Sequence, residues 1–263
     1  MLEIHHFTYG WFTPVLAAVM SVLGCFIGLR CAVRHRRSAR GGGAWLAGAA
    51  IAIGGTGVWV MHFVAMLGFS IQGAVIRYDV PLTALSAVVS VLVVGAGLYL
   101  VRGGRPGVEA LLAAGTLTGL GVCAMHYLGM YAMNTHAHLS YRLWPVAASV
   151  VIAVVASTVA LWFTSWVDDL GVTVGAAVVM GVAVNGMHYT GMSAVHAHAD
   201  YRVPTPPRGS EAFHMLGPVL GISAVVTIMV LVGVCLSELG DTRDSARPPV
   251  AEPPRDPAER ADA

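Results

Sequence analysis

Three copies of one short unit carry the residues able to do chemistry: Val60-Met61-His62-Phe63-Val64-Ala65-Met66, Ala124-Met125-His126-Tyr127-Leu128-Gly129-Met130 and Gly186-Met187-His188-Tyr189-Thr190-Gly191-Met192. Each reads Met-His-aromatic-x-(Ala/Gly)-Met, lies near the end of a long apolar run, and recurs at a nearly even interval. Imidazole suits copper, zinc and iron, and thioether is a soft ligand that favours Cu(I). A His and the Met four residues on share a helical face, so His62 with Met66, His126 with Met130 and His188 with Met192 each offer a nitrogen and a sulfur donor. Met61, Met125 and Met187 point about 100° away from their histidines on a helical wheel and rank behind the other three as ligands. Magnesium and calcium are excluded by the shortage of oxygen donors. Zinc is disfavoured because Cys123 is the sole thiol close by and no carboxylate accompanies it.

One such histidine in an apolar helix is most simply a packing residue. Three with the same Met offset, at one depth, point instead to a shared site, because ionisable side chains inside a bilayer are costly and usually functional. Asn185, three residues before His188, and Tyr127 and Tyr189 are the groups placed to orient the rings from behind. His136, His138, His196 and His198 fall in the loops beyond the second and third units, at the mouth of such a site, where they can collect a metal or shuttle protons.

The elements that must position these residues are transmembrane helices. Apolar residues make up 56% of the 263 positions and charged residues 11%, far from the composition of soluble domains. Apolar runs cover roughly 12–31, 45–69, 81–101, 110–131, 144–166, 172–195 and 215–236. Each reaches the roughly 20 residues that a helix needs to cross a bilayer. The sequence therefore predicts an all-α, seven-helix membrane bundle over residues 1–240, followed by a polar, Pro-rich tail over 241–263 that cannot bury a core. Glycines seven residues before each histidine, Gly55, Gly119 and Gly181, share its helical face and imply close backbone approach there.

All basic side chains other than histidine are Arg. Arg30, Arg34, Arg36, Arg37 and Arg40 follow the first span, and Arg102 and Arg105 the third. By the positive-inside rule the amino terminus is outside and the carboxy terminus inside. Spans 2, 4 and 6 then run the same way, with their histidines roughly 10 Å below the outer surface at 1.5 Å per residue. The shared spacing His136-Ala137-His138-x-x-Tyr141-Arg142 and His196-Ala197-His198-x-x-Tyr201-Arg202 extends the repeat beyond the motif. It makes spans 4–5 and 6–7 duplicated two-helix units, with spans 2–3 a diverged copy. Cys25, Cys31, Cys123 and Cys235 lie in or at the ends of apolar runs, so disulfides are not expected.

At these residues the chain resembles the MHYT-domain family of bacterial integral membrane sensor proteins. Met187-His188-Tyr189-Thr190 matches the family's name outright, Met125-His126-Tyr127-Leu128 departs at the last position, and Met61-His62-Phe63-Val64 at the last two. The resemblance implies motifs near the outer face of the bacterial cytoplasmic membrane, copper held by their Met and His residues, and sensing of oxygen, carbon monoxide or nitric oxide through that metal. It also implies signalling. Because the family domain is often fused to a cyclic-dinucleotide cyclase or phosphodiesterase region, and no such module fits after the last span, the expected output is a separate cytoplasmic or membrane partner rather than an enzymatic activity of this chain. Nucleic acid is not an expected partner. Two rival readings are a copper or proton transporter, using the outer histidines as a funnel, and a membrane redox protein using haem or copper.

Overall fold

The structure is a computed structural model and describes residues 2–38, 42–199 and 207–245. Seven helices in it are long and apolar enough to cross a membrane. We number them α1 (Phe12–Arg37), α2 (Gly42–Leu67), α3 (Val80–Leu100), α4 (Val108–Tyr131), α5 (Leu143–Trp166), α6 (Leu170–Met192) and α7 (Ala212–Ser245). These match the seven apolar runs. The last helix continues past the end of its run and five residues into the segment expected to lack structure; beyond 245 that expectation lies outside the described residues.

Helices α1 to α6 close into a ring in chain order, α1 packing on α2, each helix on the next, and α6 back on α1. The seventh packs outside the ring, chiefly against α1 and α2. The expected repeated units are present, and the first helix, not the seventh, closes the ring. The slot between α6 and α2, which a 6–7 hairpin would fill, is taken by α1, and the ring resolves into three helix pairs, α1–α2, α3–α4 and α5–α6.

Short strands at the outer end explain this choice. β1 (Ile4–His5) pairs with β2 (Ser70–Ile71), β3 (Ile76–Tyr78) with β4 (Met133–Thr135), and β5 (Ala137–Tyr141) with β6 (Val195–Ala199), all antiparallel. In each pair the strand leading into an odd-numbered helix meets the strand leaving the next even-numbered one, so each helix pair is tied by its own ribbon. The leader before α1 thereby does for the first pair what β3 and β5 do for the others.

Local chemistry fixes the helix ends. Asp79 accepts from Leu82 N at 2.9 Å, and Asp169 accepts from Gly171 N and Val172 N, satisfying amides that the first turns of α3 and α6 leave free. At the opposite end of α1, the Arg36 guanidinium donates to the carbonyls of Thr164 and Val167 at the end of α5 and pairs with Asp168 at 2.6 Å. A cation on terminal carbonyls is favourable for the helix dipole.

The middle of α2 departs from α-helical geometry. Residues Ile51–Val60 form a π-helix ending directly before Met61 and His62. The run contains Gly54, Gly55 and Gly57, and two carbonyls of this stretch are taken by serine hydroxyls from the flanking helices: Ser21 of α1 donates to Gly57 O at 2.8 Å and Ser90 of α3 to Gly54 O at 2.6 Å. Close approach makes glycine necessary here. A Cβ on Gly24 would stand 2.3 Å from Gly57 N, and one on Gly54 2.8 Å from Ser90 O.

Candidate metal centre

His62, His126 and His188 project from α2, α4 and α6 onto the ring axis and are all buried, the last two at 1% exposure. Their ring centroids form a nearly equilateral triangle, 5.0, 5.1 and 5.2 Å on a side, with planes inclined at 77–88° to one another. His62 Nδ1 stands 3.1 Å from His188 Nδ1 and 3.2 Å from His126 Nδ1. Among the described residues this is the one group of three or more His, Cys, Asp or Glu whose donor atoms lie within 4.8 Å of one another.

The outward side of each ring is set by its neighbour. A Cβ on Gly129 would stand 2.5 Å from His62 Nε2, and one on Gly191 2.6 Å from His126 Nε2. The glycine of the motif is thus the seat of the preceding unit's imidazole, and it turns Nδ1, not Nε2, toward the axis. Ala65 holds the equivalent position in the first unit. His126 Nε2 is buried without a hydrogen-bond partner.

Hydrogen bonding alone leaves this trio frustrated. A neutral imidazole carries one N–H and one lone pair, so His62 Nδ1 cannot make two full hydrogen bonds with the other two Nδ1 atoms. If the protons sit on Nε2, the His62 lone pair faces those of His188 and His126 at 3.1 and 3.2 Å. A cation between them resolves both problems. Metal–imidazole bonds of about 2.0–2.1 Å at near-tetrahedral angles set donor nitrogens roughly 3.3 Å apart, close to the observed 3.1 and 3.2 Å. The residues present therefore fit a small transition-metal ion with imidazole-only nitrogen ligation.

The methionines divide into two sets. Met66, Met130 and Met192 share one buried cluster with Phe69, Tyr78 and Met133, beneath the ribbons. Met125 and Met187 belong to the central core and Met61 to a separate cluster beside Ala17 of α1. Below the triad the six ring helices enclose a cavity of about 50 Å³ with an almost wholly apolar lining that includes Cys25, Val58, Val94, Val122, Ala153 and Met187.

Of the side chains expected to orient the rings, Tyr127 and Tyr189 pack edge-on against His126 and His188, while Asn185 bonds its own helix. Asn185 donates to Gly181 O of its own helix at 2.8 Å and its Oδ1 has no partner. Tyr127 sets its ring edge-on to His126, centroids 4.8 Å apart, and its OH 2.9 Å from Ser149 Oγ on α5. Tyr189 sets its ring edge-on to His188, centroids 4.9 Å apart, and tilted to Phe7 at 5.8 Å, with its hydroxyl unpartnered. The Cys123 thiol faces Ser149 O on α5 at 3.9 Å, outside the triad group, and all four cysteines are free. The glycines seven residues before the histidines also need correction. Gly119 and Gly181 do seat close neighbours, but these are Val154 of α5 and Val22 of α1, while Gly55 has nothing nearer than 3.8 Å. The i, i+7 relation rests on a 3.6-residue turn, which the π-helix of α2 breaks.

The outer histidines lie apart from the triad. His138 and His198 face each other across β5 and β6, His196 lies opposite Ser140, and His136 precedes β5; Tyr201 and Arg202 of the shared motif lie outside the described residues. Outside the spans, burial pushes the Tyr78 phenol up and the His6 imidazole down. The Gly129 and Gly191 seats were missed at the sequence level, although the Gly/Ala three residues after each His was visible in the repeat.

A ring of transmembrane helix pairs converging three histidines on its axis is a membrane protein built by internal repetition. A family model described as "Bacterial signalling protein N terminal repeat", MHYT, matches residues 55–114 and 119–177. The chain belongs to the MHYT-domain family. It is 38% identical over 202 residues to the "Bifunctional diguanylate cyclase/cyclic di-GMP phosphodiesterase MucR" of Pseudomonas aeruginosa, covering 74% of this chain and 29% of that protein. It is 34% identical over 176 residues to the "Cyclic di-GMP phosphodiesterase NbdA" of the same organism, covering 65% and 22%. To "Signaling protein YkoW" of Bacillus subtilis it is 32% identical over 181 residues, again covering 65% and 22%. The chain thus matches less than a third of the length of these relatives. No solved structure matches it. The family and these relatives support a signalling sensor role.

Proposed function

We propose that His62, His126 and His188 hold one metal ion, copper foremost, and that the protein senses a diatomic gas (oxygen, carbon monoxide or nitric oxide) or redox state from the bacterial inner membrane and signals to a separate partner. The observation carrying this reading is the convergence of three buried Nδ1 atoms at 3.1 and 3.2 Å. When bound, copper supplies a one-electron redox couple and a coordination position for a small ligand. The chain's own residues hold the three imidazoles, exclude water, and set soft thioethers beside them. Met66, Met130 and Met192 are the methionines nearest in role to ligands, because all three lie in one buried cluster on the outer side; Met61, Met125 and Met187 wall the site and its flanks.

Two features favour this over its rivals. The cavity beneath the triad is lined mostly by apolar side chains, with Thr118, Ser157 and Thr164 its only hydroxyl residues among those described, which gives a transported ion little to bind. Ring centroids 5.0–5.2 Å apart leave no slot between imidazoles for a porphyrin, which speaks against haem. Because α2, α4 and α6 come from the three separate helix pairs, ligation favours whichever packing of the pairs brings the Nδ1 atoms to bonding distance. A signal requires that the ion or its ligand distinguish two such packings. The test is the copper content of tag-free purified protein and of the variant with all three histidines replaced by Ala, both checked for helicity. One copper per chain lost in the variant is expected; equal copper in the two refutes the reading.

A further inference from the structure

The β5–β6 ribbon carries a second set of imidazoles with no residue in common with the triad. Its register sets Ala137 opposite Ala199, His138 opposite His198, Leu139 opposite Ala197 and Ser140 opposite His196. Side chains alternate faces along a strand, and here Ala137 and Ala197 are buried at 8% and 1%. His138, His196, His198 and Ser140 therefore share the opposite, outward face. His138 is exposed, and His196 and His198 are partly exposed.

Residues directly opposite in an antiparallel pair have Cβ atoms about 4.5–5.5 Å apart. Two imidazoles on such a base can close on one ion with bonds of about 2.0–2.1 Å, water completing the sphere. His198 is the pivot, since it faces His138 across the ribbon and lies two residues from His196 on the same face. His196 Nδ1 is 3.1 Å from Ala194 O, so it donates there and leaves Nε2 as the free donor. The flanking structure holds the ribbon in place: on the other edge of β6, Leu2 N donates to Ala197 O at 2.8 Å.

We propose that His138 and His198 form a cross-strand metal site on the outer face, flanked by His196, which takes one borderline divalent ion of the copper(II) or zinc class more weakly than the buried triad would. The site does not depend on the triad holding an ion. It offers two or three nitrogen donors in a wet setting, in contrast to the dry one below, so an ion arriving from outside meets it first.

The experiment is equilibrium dialysis of tag-free, detergent-solubilised full-length protein against copper(II) with a graded competing chelator. His138→Ala/His198→Ala removes one equivalent of copper(II) with no change in melting temperature, because both side chains are at the surface. Changes behind a ligand alone cost about 10–100-fold in affinity, so loss of His198 weakens the outer equivalent by more than about tenfold. The triple triad variant retains that equivalent. Adding Ser140→His to the double variant sets a new imidazole opposite His196 and restores binding. Unchanged stoichiometry and affinity in the double variant overturns the proposal, and so does failure of Ser140→His to restore a lost equivalent, since the register argument then fails. Loss of the triad's copper with the outer equivalent intact would refute neither this site nor its reasoning and would separate it from the triad reading.

Discussion

Replacing Gly129 by Ala tests whether the motif glycine is what aims the neighbouring imidazole. The added Cβ would stand 2.5 Å from His62 Nε2, whereas ordinary contact begins at 3.4 Å. The ring or the α4 backbone must therefore give by roughly 0.9 Å, well beyond the ±0.2 Å within which metal–ligand distances are held. Overpacking of this kind costs about 1–3 kcal/mol. Part is offset in the fold, because Ala is about 1 kcal/mol better than Gly inside a helix. If the free protein relieves the clash by moving the His62 ring off the axis, the strain returns when the ring must face an ion, and 1–3 kcal/mol corresponds to about 5–150-fold weaker binding.

The assay is metal affinity by chelator competition alongside thermal unfolding. Gly186→Ala serves as the control, because it lies in the third motif on α6 yet has nothing within 4 Å of its added Cβ. Gly186→Ala should bind as the parent does, with equal or slightly higher stability. Gly191→Ala should behave as Gly129→Ala, through His126. Parent-like metal affinity in both Gly129→Ala and Gly191→Ala would refute the seating argument and, with it, the assignment of Nδ1 as the inward atom.

Two further outcomes follow from hydrogen bonding. Ser21→Ala and Ser90→Ala each strip a carbonyl of the α2 π-helix of its donor; each should lower unfolding stability by about 1 kcal/mol, and the double variant should lower metal affinity too by loosening the segment that ends at His62, measurable by denaturant titration and chelator competition. Tyr189→Phe keeps the ring edge-on to His188 and removes a buried hydroxyl that has no partner; it should be neutral or stabilising, with metal binding unchanged, and a clear loss of affinity would show that the hydroxyl itself bears on the site.

Seven spans and the common depth of three histidines were legible because hydropathy and spacing follow directly from bilayer thickness and helical rise, although α1 and α7 run several residues past their apolar runs. The like direction of α2, α4 and α6 followed from the same count. What lay beyond reach was what the 3.6-residue period does not encode. Nothing in Phe12–Arg37 marks it as the helix that closes the ring in place of α7, since the choice is made by backbone pairing of a two-residue strand, Ile4–His5, with Ser70–Ile71. The hydrogen-bond partners of Asn185 and Tyr127 were out of reach for a related reason. Adjacency in sequence placed them near His188 and His126, and the Tyr127 ring does lie against His126, but side-chain direction gave their polar ends to Gly181 O and Ser149.

The π-helix of α2 shows why the first motif can drift furthest from the other two and still deliver its histidine. An i→i+5 ladder turns the chain less per residue than the α-helix, so ten residues of it, Ile51–Val60, reset which face everything after Val60 presents. That reset falls between two demands on one helix five residues apart, the Gly24–Gly57 approach at the α1–α2 contact and His62 facing the axis. The serines answer the same geometry from either side, Ser21 on Gly57 O and Ser90 on Gly54 O. Helices α4 and α6 need no such device, for their close contacts at Gly119 with Val154 and Gly181 with Val22 lie two turns below the histidines. The near-equilateral triangle of imidazoles is thus reached by two regular helices and one irregular one. The approximate threefold symmetry belongs to the site and the ribbons more than to the backbones that carry it.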